Sequence, residues 1–347
     1  MTLPDDMLAI DVRAPGGPDA LAPTRAPLPE LHPGHVLIRV AAAGINYPDV
    51  LQRMGQYDPP SWHSPRPGLE VAGEVVAVGE GALGHDLGAP VLALCNGGGY
   101  AEYVAVPAGQ VLPIPVGLDT AWAGAIAETW FTVEQTLVMR SGLEAGMTVL
   151  VHGAAGGIGA AALAQSSIHG ARPIAVVSTL EKADYVREEL GVPDVIIHSE
   201  EDFVGRTKAM TDGRGADRIV TFAGGDMLAR NIAAAARGGT IVQLASLSHA
   251  NAEIAIPQLL GKQLAIFGSV LRPQSDGTKA AIAQSLRRHA WPAFASGRVA
   301  RPRLRTMPLG QAAEAHRAME DRASFGKIVL LTPFGERFSS DKSVAEP

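Results

Sequence analysis

The stretch Val149–Gln165, VLVHGAAGGIGAAALAQ, carries the densest chemical signal in the chain. An apolar run enters Gly153, Gly156, Gly157 and Gly159, and an alanine-rich run leaves them. A helix N-terminus presents unpaired N–H groups and a partial positive charge. A diphosphate binds there if the backbone can approach closely, and side chains would block it. The four glycines, with Ala155 and Ile158 between them, are the candidate cradle. Ala160, Ala161 and Ala162 would let the helix lie close to its strand. A branched side chain at Gly156 is expected to fill the diphosphate's space and to strain the turn. An ordinary tight turn is the plain alternative. The position of the glycines, after a predicted strand, at the start of a helix and inside a βαβ unit, favours a dinucleotide.

The next strand decides which dinucleotide. An NAD-binding unit usually ends it with an acid that holds the ribose 2′-hydroxyl. Here the chain reads VVSTLEK, with Ser178 and Thr179 in that place and Lys182 a turn later. Hydroxyls can donate to a 2′-phosphate and a lysine can neutralise it, so NADPH is the expected cofactor. A solvated surface lysine is the alternative for Lys182. No P-loop GxxxxGK[ST] and no Tyr-x-x-x-Lys of the short-chain dehydrogenases occurs.

The surrounding elements fit such a corner. Up to about Gly117 the pattern is β-rich, with Val and Ile segments stopped by Gly and Pro. AIAETWFTVEQTLVMRSG has helical spacing, and strands and helices then alternate as far as QLAIFGSVLRP. That alternation implies an α/β fold with a doubly wound parallel sheet. A helix through DMLARNIAAAARGG, another through TKAAIAQSLRRHAWPAFASG, and a final helix and strand ending at Leu331 are expected, with a frayed tail after Phe334.

The chain has 347 residues, 47% of them apolar, which suggests two domains. The apolar runs are too broken for a membrane span, and the N-terminus lacks the basic region of a secretory signal. A net charge of −6 without a basic block makes nucleic acid a poor partner. Cys95 is the only cysteine, so neither an intrachain disulfide nor a four-cysteine zinc site can form. The ten histidines show no metal-ligand spacing. A cytoplasmic protein is expected.

With AAAGINYPDVLQRMGQY, PGLEVAGEVVAVGEG, GGGYAEYVAVPA, ETWFTVEQTL, AGGDMLARN, GSVLRP and GKIVLL added to the glycine corner, the chain resembles the medium-chain dehydrogenase/reductases. Within them it is similar to the zinc-free NADPH:quinone oxidoreductases of the p53-inducible branch. The resemblance implies a GroES-like catalytic domain over 1–130 and 272–347, a Rossmann domain over 131–271, the nicotinamide in the cleft between them, and a homodimer joined at the Rossmann sheet edge. Zinc members have Cys where this chain has Asn46 and His where it has Leu69, so neither catalytic nor structural zinc is expected. No metal ligands are assigned.

Carried over residue by residue, the resemblance places Asn46, Tyr57 and Thr132 at the reacting end. It places Ser178, Thr179, Lys182, His198, Gly224, Leu244, Ser246, Phe267, Ser269 and Lys327 against the cofactor. His198 stands where the family often has Tyr, and Leu51 where some members have an active-site Tyr. Alternatives remain for several residues. Asn46 could make an Asx-turn, Tyr57 could be a packing aromatic, and SEEDF could be a helix start. Cys95 reads as a small buried hydrophobe. The implied activity is hydride transfer from NADPH to a quinone. The alternatives are an enoyl or alkenal reductase, and an NADPH-binding protein with little turnover.

Overall fold

The computed structural model describes residues 3–247, 249–321 and 325–340. The chain forms two compact units. One comprises residues up to 131, 272–287 and from 303 onward; the other comprises 132–271 and 288–302.

The first unit is built on a seven-stranded sheet. Its strands lie in the order Leu304–Pro308, Lys327–Leu331, His35–Gly44, Glu70–Val78, Pro90–Leu94 and Val111–Pro113, and Tyr103–Pro107 also pairs with His35–Gly44. Side chains alternate across a strand, and the long strand follows that rule. Val36, Ile38 and Val40 enter one core with Val71, Val91, Val104 and Leu330, while Leu37 turns to another with Met7 and Tyr103. Strand His35–Gly44 runs antiparallel to both Glu70–Val78 and Lys327–Leu331. Its end therefore lies beside the beginnings of both neighbours.

The second unit is a six-stranded, wholly parallel sheet. Its order is Val195–Ile197, Arg172–Val177, Thr148–His152, Ala216–Thr221, Ala235–Gln243 and Ala265–Gly268. In chain order this is three-two-one-four-five-six, the Rossmann arrangement, with the direction of winding reversed after the first strand. Leu150, Ile174, Ile196, Ile219 and Ile241 form its buried centre.

Five elements differ from the expectations, one of them the helix through TKAAIAQSLRRHAWPAFASG, which is two, Asp276–His289 and Trp291–Ala295. The β-rich region contains a helix, Tyr47–Arg53, started by Pro48 in its first turn and by Asp49 Oδ2, which accepts the Asn46 N–H at 2.9 Å. The segment after Thr132 is not regular α-helix: Ala127–Val133 passes into a π-helical stretch, Glu134–Arg140. The helix from Asp226 stops at Ala234, because Ala235 already pairs with Ala216 in the parallel sheet. The tail after Phe334 is not frayed at once. A helix covers Pro333–Ser340, where Thr332 Oγ1 accepts the Gly335 N–H at 3.2 Å and a Cβ on Gly335 would come within 2.7 Å of the Ala41 carbonyl carbon. Residues 341–347 lie outside the described residues. No helix among the described residues is long and apolar enough to cross a membrane.

Candidate functional site

In the Rossmann unit the glycines have distinct jobs. Gly153, directly after strand Thr148–His152, has φ 59°, a left-handed conformation that favours glycine. Gly159 lets the helix lie against the loop, since a Cβ there would sit 2.6 Å from Ala154 Cα. Gly156 caps the helix Gly157–Ile168 in extended backbone, φ −87° and ψ 174°, with only the Gly153 carbonyl 3.4 Å from a Cβ. The expectation of strain at Gly156 is therefore corrected: any residue adopts that conformation, and a side chain there would intrude only outward. The first-turn amides of this twelve-residue helix have no partners within it.

The other candidates of this unit gather at the carboxyl edge of the same sheet. Ser178 and Thr179 follow strand Arg172–Val177. Thr179 caps the next helix, its Oγ1 accepting the Lys182 N–H at 3.3 Å, and Lys182 Nζ donates to Ser178 Oγ at 3.3 Å. His198 bonds Val177 through its backbone N–H at 3.0 Å, and its side chain is exposed. Gly224 and Leu244 follow the fourth and fifth strands, and the Leu244 N–H reaches the Thr221 carbonyl at 3.0 Å. Ser246 donates to the His249 carbonyl. Phe267 lies in the edge strand under the Arg140 guanidinium, 4.2 Å from its ring centre. Ser269 Oγ donates to Gln135 Oε1 at 3.1 Å, and the Thr132 carbonyl accepts from Thr136 Oγ1 at 2.6 Å. In an open parallel sheet, ligands bind at this edge, beside the point where the winding reverses. SEEDF is a helix start, with Asp202 capping Phe203–Met210.

In the first unit, Asn46, Glu70 and Lys327 meet where the three strands come together. Lys327 Nζ donates to Glu70 Oε1 at 2.7 Å, to Asn46 Oδ1 at 2.7 Å and to the Ile45 carbonyl at 3.1 Å. Asn46 Nδ2 donates to Glu70 Oε1 at 2.8 Å, and Glu70 Oε2 accepts the Glu128 N–H at 2.9 Å. All three side chains are buried. Gly44 makes room for them: a Cβ there would come within 2.6 Å of Glu70 Cδ. Leu69, alongside, is buried and offers no ligand atom.

Around this clamp stand further ionisable groups. Burial pushes Glu128 up from 4.5 to about 8, with Glu70 and Asp49 adding to the rise. Burial likewise pushes Asp49 up from 3.8 to about 6, although it accepts the Gly68 N–H at 2.9 Å. Burial and then the Glu128 charge push the Tyr57 phenol up to about 12. At neutral pH Tyr57 is thus a donor and Glu128 a carboxylic acid. The Arg272 guanidinium lies 5.6 Å from the Tyr57 ring centre and donates to Gln52 Oε1 at 2.7 Å, while its Nε and second terminal nitrogen are buried without a hydrogen-bond partner among the described residues. The Cys95 thiol is buried and pushed up by burial, which suits a hydrophobe and not a nucleophile. Glu70, Asp49, Glu128 and Arg272 were not among the sequence candidates. For Glu70, Glu128 and Arg272 the signal was a charge inside an apolar run: PGLEVAG, AIAETWF and GSVLRP.

Comparison with known proteins supplies the class. Residues 32–116 match the alcohol dehydrogenase GroES-like domain and residues 157–286 the zinc-binding dehydrogenase family. A human quinone oxidoreductase is 29% identical over 94% of this chain and 98% of its own length. An NAD-dependent alcohol dehydrogenase of known structure is 30% identical over 94% of this chain and 99% of its own, with a TM-score of 0.81. A mycobacterial protein solved in complex with NADPH is 28% identical over 94% and 99%, with a TM-score of 0.80. The chain belongs to the medium-chain dehydrogenase/reductase family and is an enzyme, an oxidoreductase that uses a nicotinamide cofactor and a small-molecule substrate. Within the family it falls in the quinone oxidoreductase-like branch.

Proposed function

We propose that the enzyme is a zinc-independent, NADPH-dependent quinone oxidoreductase. The observation that carries this reading is the clamp at Asn46. Where zinc members of the family have a thiolate ligand, this chain has an amide whose oxygen accepts from the Lys327 ammonium at 2.7 Å. An amide, an ammonium and the Leu69 side chain do not make a zinc site. Without a Lewis acid, polarisation of the acceptor is left to hydrogen-bond donors, which favours an acceptor that is already electron-poor, such as a quinone.

The Rossmann corner suits a dinucleotide diphosphate, and the Ser178–Lys182 pair suits a 2′-phosphate, so NADPH is preferred to NADH. Bound there, the reduced nicotinamide supplies the hydride. The residues bind, orient and hold protons. Asn46 has one Nδ2–H left after Glu70, so it can donate one hydrogen bond to the acceptor. Tyr57, kept as a phenol, is a second donor, and the unpartnered nitrogens of Arg272 are a third. A reduced quinone takes its protons from water, so none of these groups must transfer one.

A second reading, an enoyl or alkenal reductase, draws on Glu128. That reaction needs a proton at the α-carbon, and a buried carboxylic acid held to about 8 retains one at neutral pH. A homodimer joined through the edge strand Ala265–Gly268 belongs to the same proposal. It is supported by the apolar side chains left exposed on the preceding helix, Ile256 at 52% and Leu260 at 69%. The buried Cys95 thiol fits a reducing cytoplasm. Steady-state turnover of a quinone series against an enone series, each with NADPH and with NADH, tests the reading. Preference for quinones and NADPH is expected. Turnover confined to enones would favour the second reading, and tight NADPH binding with no turnover would favour a binding protein.

A further inference from the structure

The histidines show no metal spacing along the sequence, yet the Rossmann unit brings two of them to one carboxylate. Glu134 opens the π-helical stretch Glu134–Arg140, His169 ends the helix Gly157–Ile168 as its C-cap, and His289 is the last residue of Asp276–His289. One ligand atom from each lies within 4.8 Å of the others. His289 Nδ1 is 3.9 Å from Glu134 Oε1, and the two imidazole rings meet edge to face with centres 5.1 Å apart. We propose that Glu134, His169 and His289 form a binding site for a divalent transition-metal ion of the zinc class, built from none of the residues assigned to hydride transfer.

The chemistry of the set points to that class. Two imidazoles and one carboxylate are borderline ligands that suit zinc and its first-row neighbours, whereas calcium and magnesium take oxygen alone. The distances are near what is needed. Bond lengths of about 2.0–2.1 Å at a tetrahedral angle separate ligand atoms by about 3.3 Å, so the Glu134–His289 gap closes with a small side-chain adjustment. Access and rigidity are divided between the ligands. The Glu134 side chain is 1% exposed and fixed in the packed interior, while the His289 side chain is 46% exposed and can swing in with an ion from solvent. Three protein ligands leave a fourth position for water. The π-helical turn that carries Glu134 is a feature concentrated at functional positions in other proteins. The three segments are distant in sequence, so an ion here would tie the ends of two long helices to the start of the unit and stabilise the fold by binding only its folded form.

The test uses the full chain, stripped with chelator and dialysed, then titrated with zinc sulfate by calorimetry and with cobalt chloride by visible absorption. One equivalent of zinc per chain is expected, together with a rise in the thermal unfolding midpoint. Cobalt should change from the weak pink of the aqua ion to the stronger bands of a low-coordinate nitrogen–oxygen site. His289→Ala, at a half-exposed position, should fold with the same midpoint as the metal-free chain, and both it and His169→Ala should weaken zinc binding by more than about a hundredfold, beyond the usual effect of altering outer-shell partners. NADPH affinity in His289→Ala should stay unchanged. No stoichiometric binding, or equal binding by the wild type and His289→Ala, would overturn the proposal.

Discussion

Lys327 and Glu70 form an ion pair at 2.7 Å with both side chains out of solvent, 5% and 0% exposed, and with Asn46 bridging them. A buried pair gains little over an apolar pair of the same shape, but removing one partner leaves a stranded charge. Lys327→Met should therefore lower stability by about 3–5 kcal/mol, and the double variant Lys327→Met/Glu70→Gln should recover part of the loss. Denaturant titration compares the two. Equal losses in the single and double variants would show that the pair is not coupled as described.

Cofactor choice should follow Lys182. A charge-assisted hydrogen bond to phosphate contributes about 1.5–3 kcal/mol, or roughly tenfold to a hundredfold in binding. Lys182→Ala should raise the dissociation constant for NADPH by about that factor and leave NADH nearly unchanged. Fluorescence titration with both cofactors checks it, and equal losses would mean that the 2′-phosphate is read elsewhere.

The glycine corner should separate binding from folding. Gly156→Val places its side chain outward in backbone that any residue adopts, so it should unfold at nearly the wild-type temperature while losing affinity for both cofactors. Gly159→Ala drives a Cβ to within 2.6 Å of Ala154 Cα and should destabilise the chain by about 1–3 kcal/mol. Thermal unfolding of the two variants side by side distinguishes them. A large drop for Gly156→Val with none for Gly159→Ala would reverse the assignment.

Glu128 makes stability fall with pH. In the folded chain it holds its proton up to about 8, against an ordinary value of 4.5. Its contribution is fully present below 4.5 and is lost as pH rises through 8, because the folded state binds more protons in that window. Asp49, raised to about 6, acts the same way at the lower end. His63 and His152, held down to about 4, and His316, held down to about 3, have the opposite sign, losing stability as pH falls below 6.5. Above 6.5 Glu128 should dominate these five. Unfolding midpoints between pH 6.5 and 8.5 should decline for the wild type and stay flatter for Glu128→Gln. Parallel curves would exclude a protonated Glu128 in the folded enzyme.

What the sequence made legible was local. The glycine corner, the Ser178–Lys182 end of the second strand and the alternation of strands and helices all reside in short spans whose spacing reports directly on the backbone. The clamp was only half visible. Asn46 and Lys327 were named, but their partner Glu70 read as one acid in an apolar strand, and what joins them is the antiparallel pairing of three strands from far apart in the chain. The same holds for Glu134, His169 and His289, which share no motif and meet only through packing. The helix Pro333–Ser340 was misread because its composition is polar and its hold on the sheet, through Thr332 and Gly335, depends on a strand nearly 300 residues earlier.

Hydride is expected to reach an electron-poor acceptor without zinc at Asn46. The most direct measurement is kcat/KM for NADPH with a benzoquinone acceptor, taken on chelator-treated enzyme before and after zinc is restored. Quinone turnover is expected, with the same kcat/KM in both samples. Activity that vanishes on chelation and returns with zinc would contradict the account.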